Sequence, residues 1–98
     1  MINFQVRRES GEIVRRGAHG VDGPTILDCF DSGEFPFLGS LLPYADTMFN
    51  KRQVRRLREE LLEPVVAEIL GRDVTDEIED FCRQVEGGVH LYLWFLGD

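Results

Sequence analysis

Between Ile2 and Arg7 apolar and polar residues alternate with a period of two, the pattern of a strand with one face buried. Ser10-Gly11-Glu12 supplies a turn, and Ile13-Val14-Arg15-Arg16 returns as the second arm of a predicted hairpin. Arg7, Arg8, Arg15 and Arg16 are thereby expected near one another, where basic side chains discourage edge-to-edge pairing. Gly17, Gly20, Gly23 and Pro24 argue against a regular element over 17–24. Thr25–Phe30 then predicts a third short strand. From Asp31 to Tyr44, Gly33, Pro36, Gly39 and Pro43 predict turns around one extended piece at Phe35–Leu38.

The period changes after Asn50. Its side chain is suited to cap a helix, and Gln53 completes a capping-box pair. Val54, Leu57, Leu61 and Val65 follow at three- and four-residue spacing, leaving Arg55, Arg56 and Arg58 off the apolar face. Pro64 has no amide hydrogen and splits this stretch into two helices, the second ending at Gly71. A further helix opens around Asp73–Asp76, whose acids suit the positive end of a helix dipole. Its inward stripe is Ile78, Phe81, Cys82 and Val85, and Gly87-Gly88 ends it. Val89–Leu96 is apolar or aromatic in both registers, as expected of a central strand covered on each side. The expected fold is therefore α+β, one small domain over 1–98. It has an N-terminal β-hairpin, at least one further short strand, two or three helices in the second half, and the C-terminal strand central in the sheet.

At 98 residues, 43% apolar and 30% charged, the chain has the composition of a soluble globular domain. Leu91–Leu96 is its longest apolar run, far short of the ~20 residues that cross a bilayer. No basic flank, apolar stretch and cleavage site open the sequence, so a cytoplasmic location is expected, with no membrane partner. In that reducing setting two cysteines make no disulfide framework, and Cys82 reads as a small core hydrophobe. Arginine outnumbers lysine ten to one, a codon bias that suggests a GC-rich bacterial or phage genome.

The net charge of −7 is unevenly spread. Residues 17–50 contain no lysine or arginine, yet hold Asp22, Asp28, Asp31, Glu34 and Asp46. Among these acids stand Phe30, Phe35, Phe37, Tyr44 and Phe49. In a small domain some of these aromatics must fill the core. Those left at an acidic rim, Phe35, Phe37 and Tyr44 being the candidates, read as anchors for a cationic protein. Residues 51–58 hold five cations and no acid, whereas 59–98 hold eleven acids against two arginines. Arg52, Arg55 and Arg56 share a helix face and form a candidate nucleic-acid patch. Glu59 and Glu60, four residues beyond Arg55 and Arg56, are equally placed to neutralise that patch as helical ion pairs.

Signals for chemistry are sparse. His19, Cys29, Cys82 and His90 lack the close spacing of a zinc site, so no metal and no cofactor are expected. Gly39-Ser40-Leu41 has only half the glycines of a nucleophile elbow, and Gly17-Ala18-His19-Gly20 lacks the Lys and Ser or Thr of a phosphate loop. No catalytic residues are assigned, and the chain is not expected to be an enzyme.

Two stretches carry a resemblance. Pro43-Tyr44-Ala45-Asp46-Thr47-Met48-Phe49-Asn50-Lys51-Arg52-Gln53 and the closing His90–Asp98 resemble small actinobacterial proteins. In those, Pro-x-x-Asp-Thr-x-Phe-Asn-x-x-Gln precedes a helix and Leu-Tyr-Leu-x-Phe-x-Gly-Asp follows later. The resemblance implies that Asp46, Thr47 and Asn50 act together, and it brings no activity with it. Compact acidic proteins of this type resemble immunity proteins that neutralise bacterial toxins.

The expected function is a non-enzymatic protein-binding inhibitor, an immunity protein whose partner is a cationic toxin met by Asp22, Asp28, Asp31, Glu34, Phe35, Phe37, Tyr44 and Asp46. The chain itself is expected to be a monomer or weak dimer. Two alternatives stand beside this: a phage or host inhibitor that mimics nucleic acid with the acids of 59–86, and a nucleic-acid-binding regulator using Arg52, Arg55 and Arg56. A net acidic chain makes nucleic acid the less expected partner.

Overall fold

A computed structural model describes residues 1–97 of the chain. The alternating N-terminal segment forms β1 (Ile2–Arg8), with Ile2, Phe4 and Val6 buried on one side. It pairs with β2 (Ile13–Val21) through the turn at Gly11, whose φ of 94° suits a residue without a side chain. β2 continues through the glycines expected to end it. A Cβ on Gly17 would lie 2.7 Å from a Phe4 ring carbon, so this glycine makes room for an aromatic ring inside a strand. Between the pairs Asn3–Gly20 and Gln5–Arg16, β2 carries two residues more than β1 and bulges outward.

The predicted strand at Thr25–Phe30 is instead a helix, α1 (Gly23–Cys29). Asp22 caps it, accepting from Thr25 N at 3.1 Å and Thr25 Oγ1 at 2.8 Å, and Pro24 occupies the first turn, where no amide donor is needed. Phe35–Leu38 is likewise not extended. Phe35 N and Gly39 N bond back to Asp31 O and Phe35 O, winding the chain into turns and a 3-10 turn at Leu38–Ser40.

β3 (Asp46–Phe49) leads into α2 (Lys51–Leu61), which opens with the capping box expected of Asn50 and Gln53. α2 stops before Pro64, α3 (Pro64–Leu70) follows, and Gly71 ends it at φ 91°. Val66 is the buried residue of α3, whereas Val65, expected inside, is exposed because the break at Pro64 resets the helix phase. α4 (Arg72–Gly87) buries Ile78, Phe81, Cys82 and Val85. β4 (Leu91–Leu96) begins two residues later than Val89, with His90 at a positive φ.

The four strands form one antiparallel sheet in the order β2-β1-β4-β3, so β4 lies between β1 and β3. Leu93 and Phe95 join Phe4, Val6 and Phe49 in a core closed by Val54 and Leu57 of α2 and by the inward stripe of α4. Edge-to-face ring contacts run through that core: Phe37–Phe49 at 5.5 Å, Phe49–Phe95 at 5.9 Å and Phe4–Phe81 at 5.2 Å. β4 is central in pairing yet covered on one side only. Tyr92, Trp94 and Leu96 point away from the helices and stay partly exposed.

Candidate functional site

Val21 pairs with Ile2, and Asp46 pairs with Leu96, so the acidic stretch leaves one sheet edge and rejoins the other at the same end. It crosses on the helix side, burying Ile26, Phe30, Phe35, Leu38 and Leu41 in the common core. One α2 side chain sets its path. Glu60, only 8% exposed, accepts from Phe37 N through Oε2 and from Leu38 N through Oε1, each at 2.9 Å. Burial raises its pKa, because desolvation outweighs the pull of the two amides in the other direction. The four-residue spacing offers Arg56 as a helical ion-pair partner for Glu60. The only signal for its inward role is its place three residues after Leu57, beside the apolar stripe.

The expected site residues divide into three groups. Asp22 caps α1 and Asp31 accepts from Gly33 N at 2.9 Å, so both shape the stretch while remaining exposed. Asp28, Glu34 and Asp46 are exposed, and among the described residues their carboxylates meet no hydrogen-bond or ion-pair partner. Of the aromatics, Phe35 is 5% exposed and Phe37 half-buried, whereas Tyr44 is 86% exposed. The proposed aromatic rim is thus carried by Tyr44, Leu42 and Met48 of the same 17–50 stretch also being exposed, while Phe35 belongs to the core. Asp46 stands on β3 and Thr47 beside it, while Asn50 is spent on the helix cap. Asp98 of the resembling C-terminal stretch lies outside the described residues.

Glu34 also lines a cavity of about 370 Å³ with Glu59, Glu60, Glu63, the half-buried Phe37 and a single cation, Arg56. Four carboxylates around an aromatic wall make a place for a cationic group. The expected helical pair Arg56–Glu60 does not form, since Glu60 turns inward, and Arg55 and Glu59 make no ion pair among the described residues. Lys51, Arg52, Arg55 and Arg56 are exposed and, among the described residues, unpaired.

Most acids of α4, by contrast, are engaged, Asp73 being the exposed exception among the described residues. Arg58 bridges from α2 to Glu86 at 2.6 Å and Glu79 at 3.7 Å, and Arg83 adds a contact to Glu79 at 3.0 Å. Glu77 receives the bulged Ala18 and His19 amides of β2 at 2.9 Å and the His19 ring at 3.0 Å. Its pKa is lowered: desolvation pulls it up, but the amides and the His19 ring outweigh that. Arg15 lies 2.9 Å from Asp80 and 4.5 Å from the Phe81 ring. The four hairpin arginines therefore do not cluster, because strand alternation sends Arg15 to the helix side and Arg7 and Arg16 to the open side.

That open side was not anticipated. Arg7 sits 4.7 Å from the Trp94 ring centroid, held by a bond from Nε to Gln5 Oε1 at 2.9 Å. Tyr92 and Trp94 in one register of β4 were the available signal, being aromatics suited to a half-wet face. No family model matches the chain, and neither the curated proteins nor the solved structures return a match.

Proposed function

We propose that the chain is a non-enzymatic protein-binding inhibitor, an immunity protein that covers a cationic bacterial toxin with the stretch 22–46. The observation that carries this reading is the contrast between engaged and free carboxylates. Glu77, Glu79, Asp80 and Glu86 are consumed within the fold, whereas Asp28, Glu34 and Asp46 face water unpaired among the described residues. Carboxylates with no internal partner need break no ion pair to meet a basic surface, and their charge speeds the encounter. Tyr44 supplies a rigid amphipathic anchor, and the cavity beside Glu34 admits a lysine or arginine side chain of the toxin.

Co-expression with a toxin encoded beside this chain tests the reading: growth is restored by the wild type and lost with Asp28→Lys, Asp31→Lys and Glu34→Lys combined. Circular dichroism checks that the variant still folds. Undiminished rescue by the folded variant rules out this surface.

A second reading, nucleic-acid binding, is favoured by the exposed and unpaired Lys51, Arg52, Arg55 and Arg56. DNA affinity that falls steeply with added salt, and that Arg52→Glu with Arg55→Glu abolishes, would support it over the first.

A further inference from the structure

The uncovered face of the sheet carries opposite charges at its two edges. Arg16 on β2 and Arg7 on β1 stand at one side, Trp94 and Tyr92 of β4 form an aromatic middle, and Asp46 with Met48 lies on β3 at the other side. Arg16 and Asp46 are exposed, with no partner for either side chain among the described residues. We propose that this face is a two-fold interface between two copies of the chain.

A two-fold axis parallel to the strands, passing between β1 and β4, lays β2 of one copy over β3 of the other. Trp94 then meets Gln5 and Arg7 of the second copy. Register places Arg16 level with Met48, since both are level with Gln5 and Trp94, and Asp46 two residues further along. Two residues of strand are about 7 Å, within reach of an arginine side chain. An axis perpendicular to the strands would stack β2 on β2 and oppose like charges. A polyanion fits the face less well, because Asp46 repels it at one edge. Four strands about 4.8 Å apart and six residues of about 3.3 Å span roughly 20 by 20 Å. That is about half the usual 800 Å² per partner, so the dimer is weak and in exchange with monomer.

Sedimentation equilibrium between about 10 µM and about 1 mM covers the affinity expected of so small an interface. The wild type shifts from monomer to dimer over that range, and fluorescence of Trp94, the only tryptophan, moves to shorter wavelength with it. Arg16→Glu and Asp46→Arg each weaken self-association at least tenfold. An equimolar mixture of the two variants forms a heterodimer, because both of its cross-pairs are then complementary. A wild type that stays monomeric at the highest concentration overturns the proposal, as does association unmoved by either reversal. Trp94 quenching by a single-stranded oligonucleotide in place of self-association would reassign the face to nucleic acid. Arg16→Glu lies outside the acidic stretch and leaves toxin neutralisation intact, so this inference and the proposed function fail separately.

Discussion

Glu60 reaches from α2 to Leu38, and its second oxygen takes the neighbouring Phe37 amide, so one carboxylate closes two donors of a turn 22 residues upstream. Glu60→Ala leaves both donors without an acceptor, and the Leu38 amide is buried. The expected loss is about 2–4 kcal/mol. Glu60→Gln keeps one acceptor oxygen and costs about half of that. Urea unfolding measures both, and amide hydrogen exchange at Leu38 should quicken in the alanine variant.

Glu60 and Glu77 pull stability in opposite directions with pH. Glu77 binds its proton less readily folded than unfolded, so its contribution is complete above the ordinary value of 4.5 and is lost as pH falls through its lowered folded value. Glu60 is held above 4.5, so its contribution is complete below that value and is lost as pH rises through the raised one. Unfolding free energies measured from pH 7 to about pH 3 should fall less steeply in acid for Glu77→Gln than for the wild type. A parallel acid limb in the variant would contradict the role given to the Ala18 and His19 amides.

The two cysteines differ in reach. Cys82 is fully buried, and burial pushes its thiol up to about 12, whereas Cys29 is exposed at the end of α1. A disulfide-exchange reagent at neutral pH should consume one thiol per native chain rapidly, and the second only in denaturant. Two fast thiols would mean that α4 opens readily.

Lys51 and Arg52 occupy the first turn of α2, where the helix dipole disfavours cations. Lys51→Glu should raise stability by about 0.3–1 kcal/mol at low ionic strength. The gain should shrink in molar salt, and thermal unfolding at two salt concentrations reads it directly.

Features written in contiguous residues were legible in the sequence. The alternation of Ile2–Arg7, the Asn50–Gln53 cap, the break at Pro64 and the stripe of α4 each need only near neighbours. What escaped depends on distant ones. Gly17 looked like a breaker because the Phe4 ring that occupies its side-chain space lies on another strand. α1 spans seven residues and keeps Leu27 exposed, so the Asp22-Gly23-Pro24-Thr25 signal had no apolar period to reinforce it. Asp28 and Glu34 were recognisable as candidates by composition. The burial of Phe35 and the inward turn of Glu60 were not, since each depends on how the stretch folds over α2.

The middle ladder of the sheet joins Asn3 to Leu96 and Arg8 to Leu91, almost the widest sequence separation this chain allows. β1 can pair with β2 early, but its ladder to β4 cannot form during synthesis until residues 91–96 have left the ribosome. The nascent hairpin must therefore wait with Phe4 and Val6 bare to solvent, and such high contact order slows folding. That waiting period is when aggregation or chaperone capture competes with assembly, which makes Leu91–Leu96 a kinetic keystone as well as a structural one.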